Sequence, residues 1–252
     1  MTHNRQLISI DFWDTIVQAG SGGEQRNEIR VRAIREVAKR YDVELEKKKI
    51  ADVYNKLAKH FHDIWFNEHR TLQPRTILRM FTKELGFDIS DSDLEYLFTE
   101  YEKSFLASPP ALIKEADTVI TELAKNFKLA IISDTMVTSG KTLRKYLEEL
   151  NLENCFSSFL FSDEVGYSKP DQRAFEFVLN ECYCLADNSS HIGDRLNTDI
   201  QGAKSIGMKA ALFTGAADRS NELDGEYPEP DYIFKSWGDV GNFYLTRLSK
   251  KM

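Results

Sequence analysis

A chain of 252 residues with 42% hydrophobic and 29% charged residues has the composition of a folded globular protein, which excludes a disordered or fibrous one. A net charge of −7 argues against a nucleic-acid partner, since a phosphate backbone asks for a basic footprint; small anions stay open, because a lysine and a cation can reverse the sign inside a crevice. No charged and then apolar leader opens the sequence and no apolar run reaches membrane-spanning length, so a cytoplasmic protein without a membrane partner is expected.

The first element, residues 6–12 (QLISIDF), is a short apolar run ending in acid, the pattern of a buried strand. GSGG at 20–23 breaks the chain. Helical periodicity follows, through Ile29, Ile34, Val37 and Tyr41, then Ile50 to Trp65, then Ile77 to Leu85, where Gly86 suits a helix end. Ser90 or Asp91 suits the cap of a fourth helix with Leu94, Leu97, Phe98, Tyr101 and Phe105 on its apolar face. Nothing from about 17 to 107 reads as a strand, so this stretch is an all-helical module, closed by Ser108-Pro109-Pro110.

From there helices and strands alternate. Helices are expected near 114–125, 140–150, 171–184 and 198–206, and strands at 128–133, 159–162, 190–193 and 209–214. Residues 215–231 read as a surface loop, before a last strand at 232–234 and a helix from about 236. Such alternation implies right-handed crossovers and a parallel sheet. The strand at 6–12 has no partner in a helical bundle, so it must join that sheet. The expected fold is therefore α/β, a Rossmann-like three-layer sandwich from residues 1–16 and 108–252, with residues 17–107 inserted as a helical cap. Cys155, Cys182 and Cys184 are few and read as reduced, partly buried thiols.

Four segments end on strand-to-loop junctions: IDFWDTI at 10–16, IISDT at 131–135, YSKPD at 167–171 and HIGDRLNTD at 191–199. They would gather Asp11, Ser133, Lys169 and Asp194 at the carboxyl edge of the sheet, where open α/β sheets bind ligands. In this order they resemble the haloacid dehalogenase (HAD) superfamily, over the whole chain. The best match is to members with a helical cap directly after the first motif, phosphoglycolate phosphatase-like and 2-haloacid dehalogenase-like. The resemblance implies a hydrolase acting on a small phosphorylated metabolite with Mg2+ as cofactor. Asp11 is the implied nucleophile, its attack on phosphorus splitting one hard hydrolysis into two easier steps. Ser133 and the Asp134 amide would donate to a phosphoryl oxygen, and Lys169 would neutralise the nucleophile and the transferring group. Asp11, Asp194 and the backbone carbonyl of Trp13 would hold the metal, with Asp199 behind them bonding Lys169 or a metal-bound water. Asp14 and Thr15 complete the loop around the substrate, Thr15 tying it down.

Trp13 departs from the pattern, because most phosphatases of this kind place a second Asp there as general acid, then base. An indole cannot move that proton. One reading is a phosphatase whose leaving group departs without a proton. A second is a 2-haloacid dehalogenase, where an aromatic residue at this position is usual. A third is a non-catalytic binding or regulatory member. The acidic pair Asp194 and Asp199 favours the first, since three carboxylates beside one lysine repel an anion unless a cation sits among them. Within the cap, His62, His69 and Arg70, and the early arginines Arg26, Arg30 and Arg32, are candidates to meet the substrate.

Overall fold

The computed structural model describes residues 5–217 and 226–249. Part of the surface loop expected over 215–231 therefore lies outside the described residues. Five strands, β1 (Leu7–Ile10), β2 (Lys128–Ser133), β3 (Ser158–Phe161), β4 (Ser189–Gly193) and β5 (Lys209–Phe213), join a sixth, β6 (Tyr232–Phe234), in one sheet. The order is β3-β2-β1-β4-β5-β6 and every pairing is parallel. β1 lies at the centre, with Ile10 in register with Ile131 on one side and Ile192 on the other.

Strand side chains alternate between two apolar layers. Ile8, Ile10, Leu129 and Ile131 face one layer with α5 (Ala116–Ala124), α6 (Gly140–Glu149) and the last helix, Trp237–Ser249. Leu7, Ala130 and Ile132 face the other, against α8 (Gln172–Glu181) and α9 (Gln201–Ser205). Burial on both faces explains why these strands read as unbroken apolar runs. A short helix, α7 (Ser162–Val165), follows β3; the last helix is therefore α10.

Four helices stand between β1 and α5: α1 (Gly23–Lys39), α2 (Lys47–Glu68), α3 (Pro74–Leu85) and α4 (Asp91–Ala107). Their apolar faces enclose a third core around Ile34, Leu57, Phe61, Leu78, Phe81 and Leu97, separate from the two sheet layers. Gly86 ends α3 at φ 107°, a conformation that favours glycine, and the Ser90 hydroxyl accepts from the Asp93 amide at 3.2 Å to cap α4. The chain leaves the sheet and returns to it at one neck. Val17 bridges Leu112, and Arg26 donates to the Ser108 carbonyl at 2.8 Å. No helix among the described residues is long and apolar enough to cross a membrane.

Several elements are shorter than the sequence suggests. β1 stops at Ile10, because Phe12 already accepts the turn hydrogen bonds of Ile16 and Val17. The helix expected over 171–184 ends at Glu181, where Tyr183 turns left-handed at φ 50° and the Cys184 amide closes back on Leu179. The helix expected from 198 is preceded by a wide π-type turn, Leu196–Ile200. Burial pushes the Cys182 thiol up to about 11, in keeping with an inert core cysteine.

Candidate active site

The carboxyl ends of β1, β2 and β4 lie side by side, so the residues that follow them share one edge. Asp11 follows β1, and its amide donates to the Ile192 carbonyl at 2.8 Å, extending the sheet by one bond. Its side chain is buried, with Thr15 Oγ1 at 3.4 Å from Oδ2. Lys169, on the loop between α7 and α8, reaches in from the side. Its ammonium pairs with Asp11 and, at 2.7 Å, with Asp199 Oδ1; all three groups are almost wholly buried.

Asp199 is held from three further directions. His191 Nε2 lies at 2.9 Å from Oδ1, and the Arg195 amide and Thr198 hydroxyl donate to Oδ2 at 3.1 and 3.2 Å. An ionised carboxylate only accepts, so Nε2 carries the imidazole proton and Nδ1 accepts from the Ser9 hydroxyl at 2.9 Å. Two glycines make this packing possible. A side-chain carbon at Gly193 would overlap Asp199, and one at Gly202 would overlap Phe175 and press on the Pro170 backbone beside Lys169.

The electrostatics follow from burying several charges together. Burial pushes the Asp11 carboxyl well above the ordinary range; Lys169 opposes this, and the charges of Asp199 and Asp194 reinforce it. Burial also works against the Lys169 ammonium, but Asp11, Asp199 and Asp134 outweigh it and hold the lysine charged. Burial likewise opposes ionisation of Asp199, yet Lys169 and the His191 hydrogen bond prevail and keep it low. Burial lowers His191 against the pull of Asp199, which leaves a neutral imidazole.

Asp194 follows β4, buried beside Asp11, with Arg195 Nε at 4.0 Å from Oδ2. Asp11 and Asp199 therefore share one lysine with Asp194 alongside, a crowding of negative charge that a divalent cation would balance. Among the described residues no three His, Cys, Asp or Glu side chains form a metal cage. A hard cation such as Mg2+ needs none: two carboxylates, a backbone carbonyl and waters suffice. In the same turn, Asn197 Oδ1 is a buried oxygen that lacks a hydrogen-bond partner. The donor set fits a hard divalent ion.

Above this cluster opens a cavity of about 520 Å³, walled by the sheet edge below and by α1, α2 and α3 above. Asp11, Trp13, Asp14, Asp134, Lys169, Asp194 and Asp199 all reach it. Trp13 forms part of the wall and packs edge-on against Phe12 and Phe105 at 5.2 and 6.0 Å between ring centres. Asp14 takes a left-handed turn, φ 53°, and one of its oxygens accepts from the Ala19 amide at 2.9 Å. Ser133 is fully buried at the end of β2, its hydroxyl 3.4 Å from the Asp134 carbonyl, and does not line the cavity.

Of the candidates in the helical module, His62, Arg70, Arg26 and Arg30 line the cavity, whereas His69 and Arg32 do not. Arg32 sits on a separate groove with Glu28 and Arg35. His69 ends α2 in a left-handed conformation, and its carbonyl accepts from the Ser168 amide next to Lys169. Two site residues were not legible as such. Trp65 reads as an apolar packing residue, yet its indole N–H donates to Asp134 Oδ2 at 2.9 Å while the Lys169 amide donates to Oδ1 at 3.0 Å. His191 stands at the head of the fourth motif, but a lone histidine in a strand carries no signal until its partner is seen.

Residues 25–213 match the haloacid dehalogenase-like hydrolase family. A glyceraldehyde 3-phosphate phosphatase of Methanothermobacter thermautotrophicus is 35% identical over 125 residues, 49% of this chain and 50% of that one. Haloacid dehalogenase-like hydrolase domain-containing protein 3 of Bos taurus is 28% identical over 43% of this chain and 42% of its own. The chain thus spans about half the length of the curated relatives it matches. Among solved structures, a 2-haloacid dehalogenase from Pseudomonas syringae superposes with a TM-score of 0.70 at 19% identity, covering 97% of this chain and 99% of that one. A HAD phosphatase from Thermococcus onnurineus gives 0.64 at 17% identity, covering 94% and 97%. At such identities these two show the fold, and the family match extends it to sequence: the chain belongs to the haloacid dehalogenase-like hydrolases.

Proposed function

We propose that this chain is a Mg2+-dependent phosphatase that hydrolyses a small phosphorylated metabolite through an aspartyl-phosphate on Asp11. The observation that carries the reading is the buried lysine shared by Asp11 and Asp199, with Asp194 alongside, on the floor of one cavity. The phosphatase relatives support it, as does a Bacillus subtilis HAD hydrolase of the same fold, TM-score 0.61, solved with bound magnesium.

In the first step an Asp11 oxygen attacks phosphorus, the bond from phosphorus to the ester oxygen breaks, and the alcohol leaves as its oxyanion. In the second, water attacks the same phosphorus, its protons pass to solvent or a nearby base, and the bond to Asp11 breaks to return the carboxylate and release phosphate. Lys169 opposes protonation of Asp11 and holds it in place, Asp199 holds Lys169, and His191 holds Asp199. The Asp134 amide would donate to a phosphoryl oxygen, and the Ser133 hydroxyl at the end of β2 would do so by turning from the Asp134 carbonyl. Bound between Asp11, Asp194 and the Trp13 carbonyl, Mg2+ would neutralise the phosphoryl oxygens and the acidic cluster. We take residues 17–107 as a cap over a core of 1–16 and 108–252, excluding water from the reaction. Three free thiols suit a reducing, cytoplasmic setting.

The wall position of Trp13 also favours a second reading, hydrolysis of a carbon–halogen bond, where the departing halide needs no proton. Single turnover in ¹⁸O-water separates the two. Solvent oxygen enters released phosphate in the phosphatase, and enters Asp11 when a carboxylic ester is the intermediate. The deciding test is turnover of a panel of phosphate esters and 2-haloacids, with and without Mg2+, by the wild type and Asp11→Asn. The variant should lose about four to six orders of magnitude in kcat. An unimpaired variant would refute the assignment.

A further inference from the structure

We infer that the substrate's alcohol portion is an aromatic or bulky apolar group held against the cap, rather than a small polyol. The ester linkage rests on the phosphatase reading above; the apolar occupant rests on the cavity itself. At about 520 Å³ the cavity is of a size that takes a ligand of two or more rings. A triose phosphate would leave most of it filled with water against apolar walls. The upper wall is Phe61, Ile64, Trp65 and Ile77 from α2 and α3, faced by Met136 and Val137 from the loop after β2.

Exposure points the same way. Met136 is 41% exposed and Tyr54 51% exposed, and both line this cavity. Large side chains left wet on a concave surface are the mark of a binding site. Of the cationic groups that line the cavity, Lys169 belongs to the floor, Arg195 lies over the Trp65 ring at 5.7 Å with Asp194 at 4.0 Å, and the others hold protein partners. Arg26 donates to the carbonyls of Ser108 and Ala19, at 2.8 and 3.2 Å. Arg30 donates to the hydroxyls of Ser104 and Thr138, at 2.9 and 3.3 Å, with its guanidinium over the Tyr101 ring. Arg70 pairs with Glu68 at 2.8 Å, and His62 stacks on Phe66. Polar chemistry is thus concentrated on the floor, where the phosphoryl group reacts, and apolar surface on the roof. Trp13 independently suits a phenol, whose oxyanion leaves without a proton.

The test compares 2-naphthyl phosphate with phenyl phosphate, whose phenols are of nearly equal acidity, and with glyceraldehyde 3-phosphate, using the full chain with Mg2+. Calorimetry compares the non-hydrolysable pair 2-naphthylmethylphosphonate and benzylphosphonate. Naphthyl should exceed phenyl by at least about tenfold in kcat/KM, carried by KM, and the naphthyl phosphonate should bind tighter by a similar factor. Met136→Asp, on a side chain already wet and tolerant of polarity, should cut both ratios severalfold. Equal kcat/KM for the two aryl esters, with equal phosphonate affinities, would overturn the inference and leave the phosphatase reading standing. Turnover of none of the esters would overturn that reading and the substrate class with it.

Discussion

At the scale of single residues, the proposed phosphatase reaction turns on position 13, which would set how the leaving group is treated. Trp13 is wedged between Phe12 and Phe105 in the cavity wall, so it contributes shape and no proton. Charge on the departing oxygen is then unrelieved, and rate should depend steeply on leaving-group acidity. Aryl and acyl phosphates should outpace simple alkyl phosphates by something like the 10²–10⁴ that acid catalysis normally contributes. A plot of log(kcat/KM) against leaving-group pKa checks this, and a flat line would mean that another donor, with Asp14 or His62 the first suspects, supplies the proton. His191 makes a separate prediction about folding. Burial holds its native pKa below the ordinary 6.5, and unfolding returns it there. Below about pH 6.5 the unfolded chain binds that proton more readily, so stability should fall as pH drops from 6.5 toward the lowered native value and be unaffected above. His191→Gln should flatten that part of the profile. Comparing urea-unfolding free energies of wild type and variant between pH 7.5 and 5 isolates the effect from Asp11, whose raised pKa acts in the opposite direction.

At the scale of elements, α2 ties the helical module to the reactive edge. The Trp65 indole donates to Asp134, Asp134 accepts the Lys169 amide, and the Lys169 ammonium reaches Asp11. Burial pushes Asp134 upward, against Lys169 and the two hydrogen bonds, so the indole donor helps keep this carboxyl ionised. Trp65→Phe retains the ring and removes the donor. Losing a hydrogen bond to a charged group costs about 1.5–3 kcal/mol. We expect kcat/KM to fall about tenfold or more, with unchanged circular dichroism; wild-type rates would show that the contact does not position the loop. Sequence reading reached most of this architecture, because strands buried on both faces and helices with one apolar stripe leave opposite periodicities. The strand at 128–133, Gly86 and Ser90 are plain cases. What it missed lies where a side chain has two properties. Trp65 was legible as apolar ring but not as donor, since its partner stands 69 residues away on a different element. The helix expected from 198 starts inside the π-type turn at Leu196–Ile200, whose width comes from the Ile200 amide reaching the Arg195 carbonyl five residues back, a bond that no local sequence signal marks.

At the scale of the whole molecule, the reactive edge is a local conflict that the rest of the fold sustains. Two apolar layers hold Asp11 and Asp199 on one lysine with Asp194 alongside, and burial together with its two acidic neighbours raises Asp11 despite that lysine. A cation that binds only the folded chain should relieve the conflict and stabilise it. At a free Mg2+ concentration one hundred times Kd the gain is about 2.7 kcal/mol. For a protein of this size that is a rise in Tm of about 5–10 °C. Asp194→Asn separates the two contributions. It removes the charge of the proposed ligand from the cluster, so Mg2+ should lose its stabilising increment. In excess chelator the same variant should be no less stable than wild type, and of order 1 kcal/mol more, because one repelling buried carboxylate is gone. Thermal unfolding of both proteins, each in chelator and in Mg2+, measures all four states. An Asp194→Asn protein that still gains the full Mg2+ increment would place the cation elsewhere, and one that unfolds earlier in chelator would show that Asp194 contributes more through its own hydrogen bonds than it costs through repulsion.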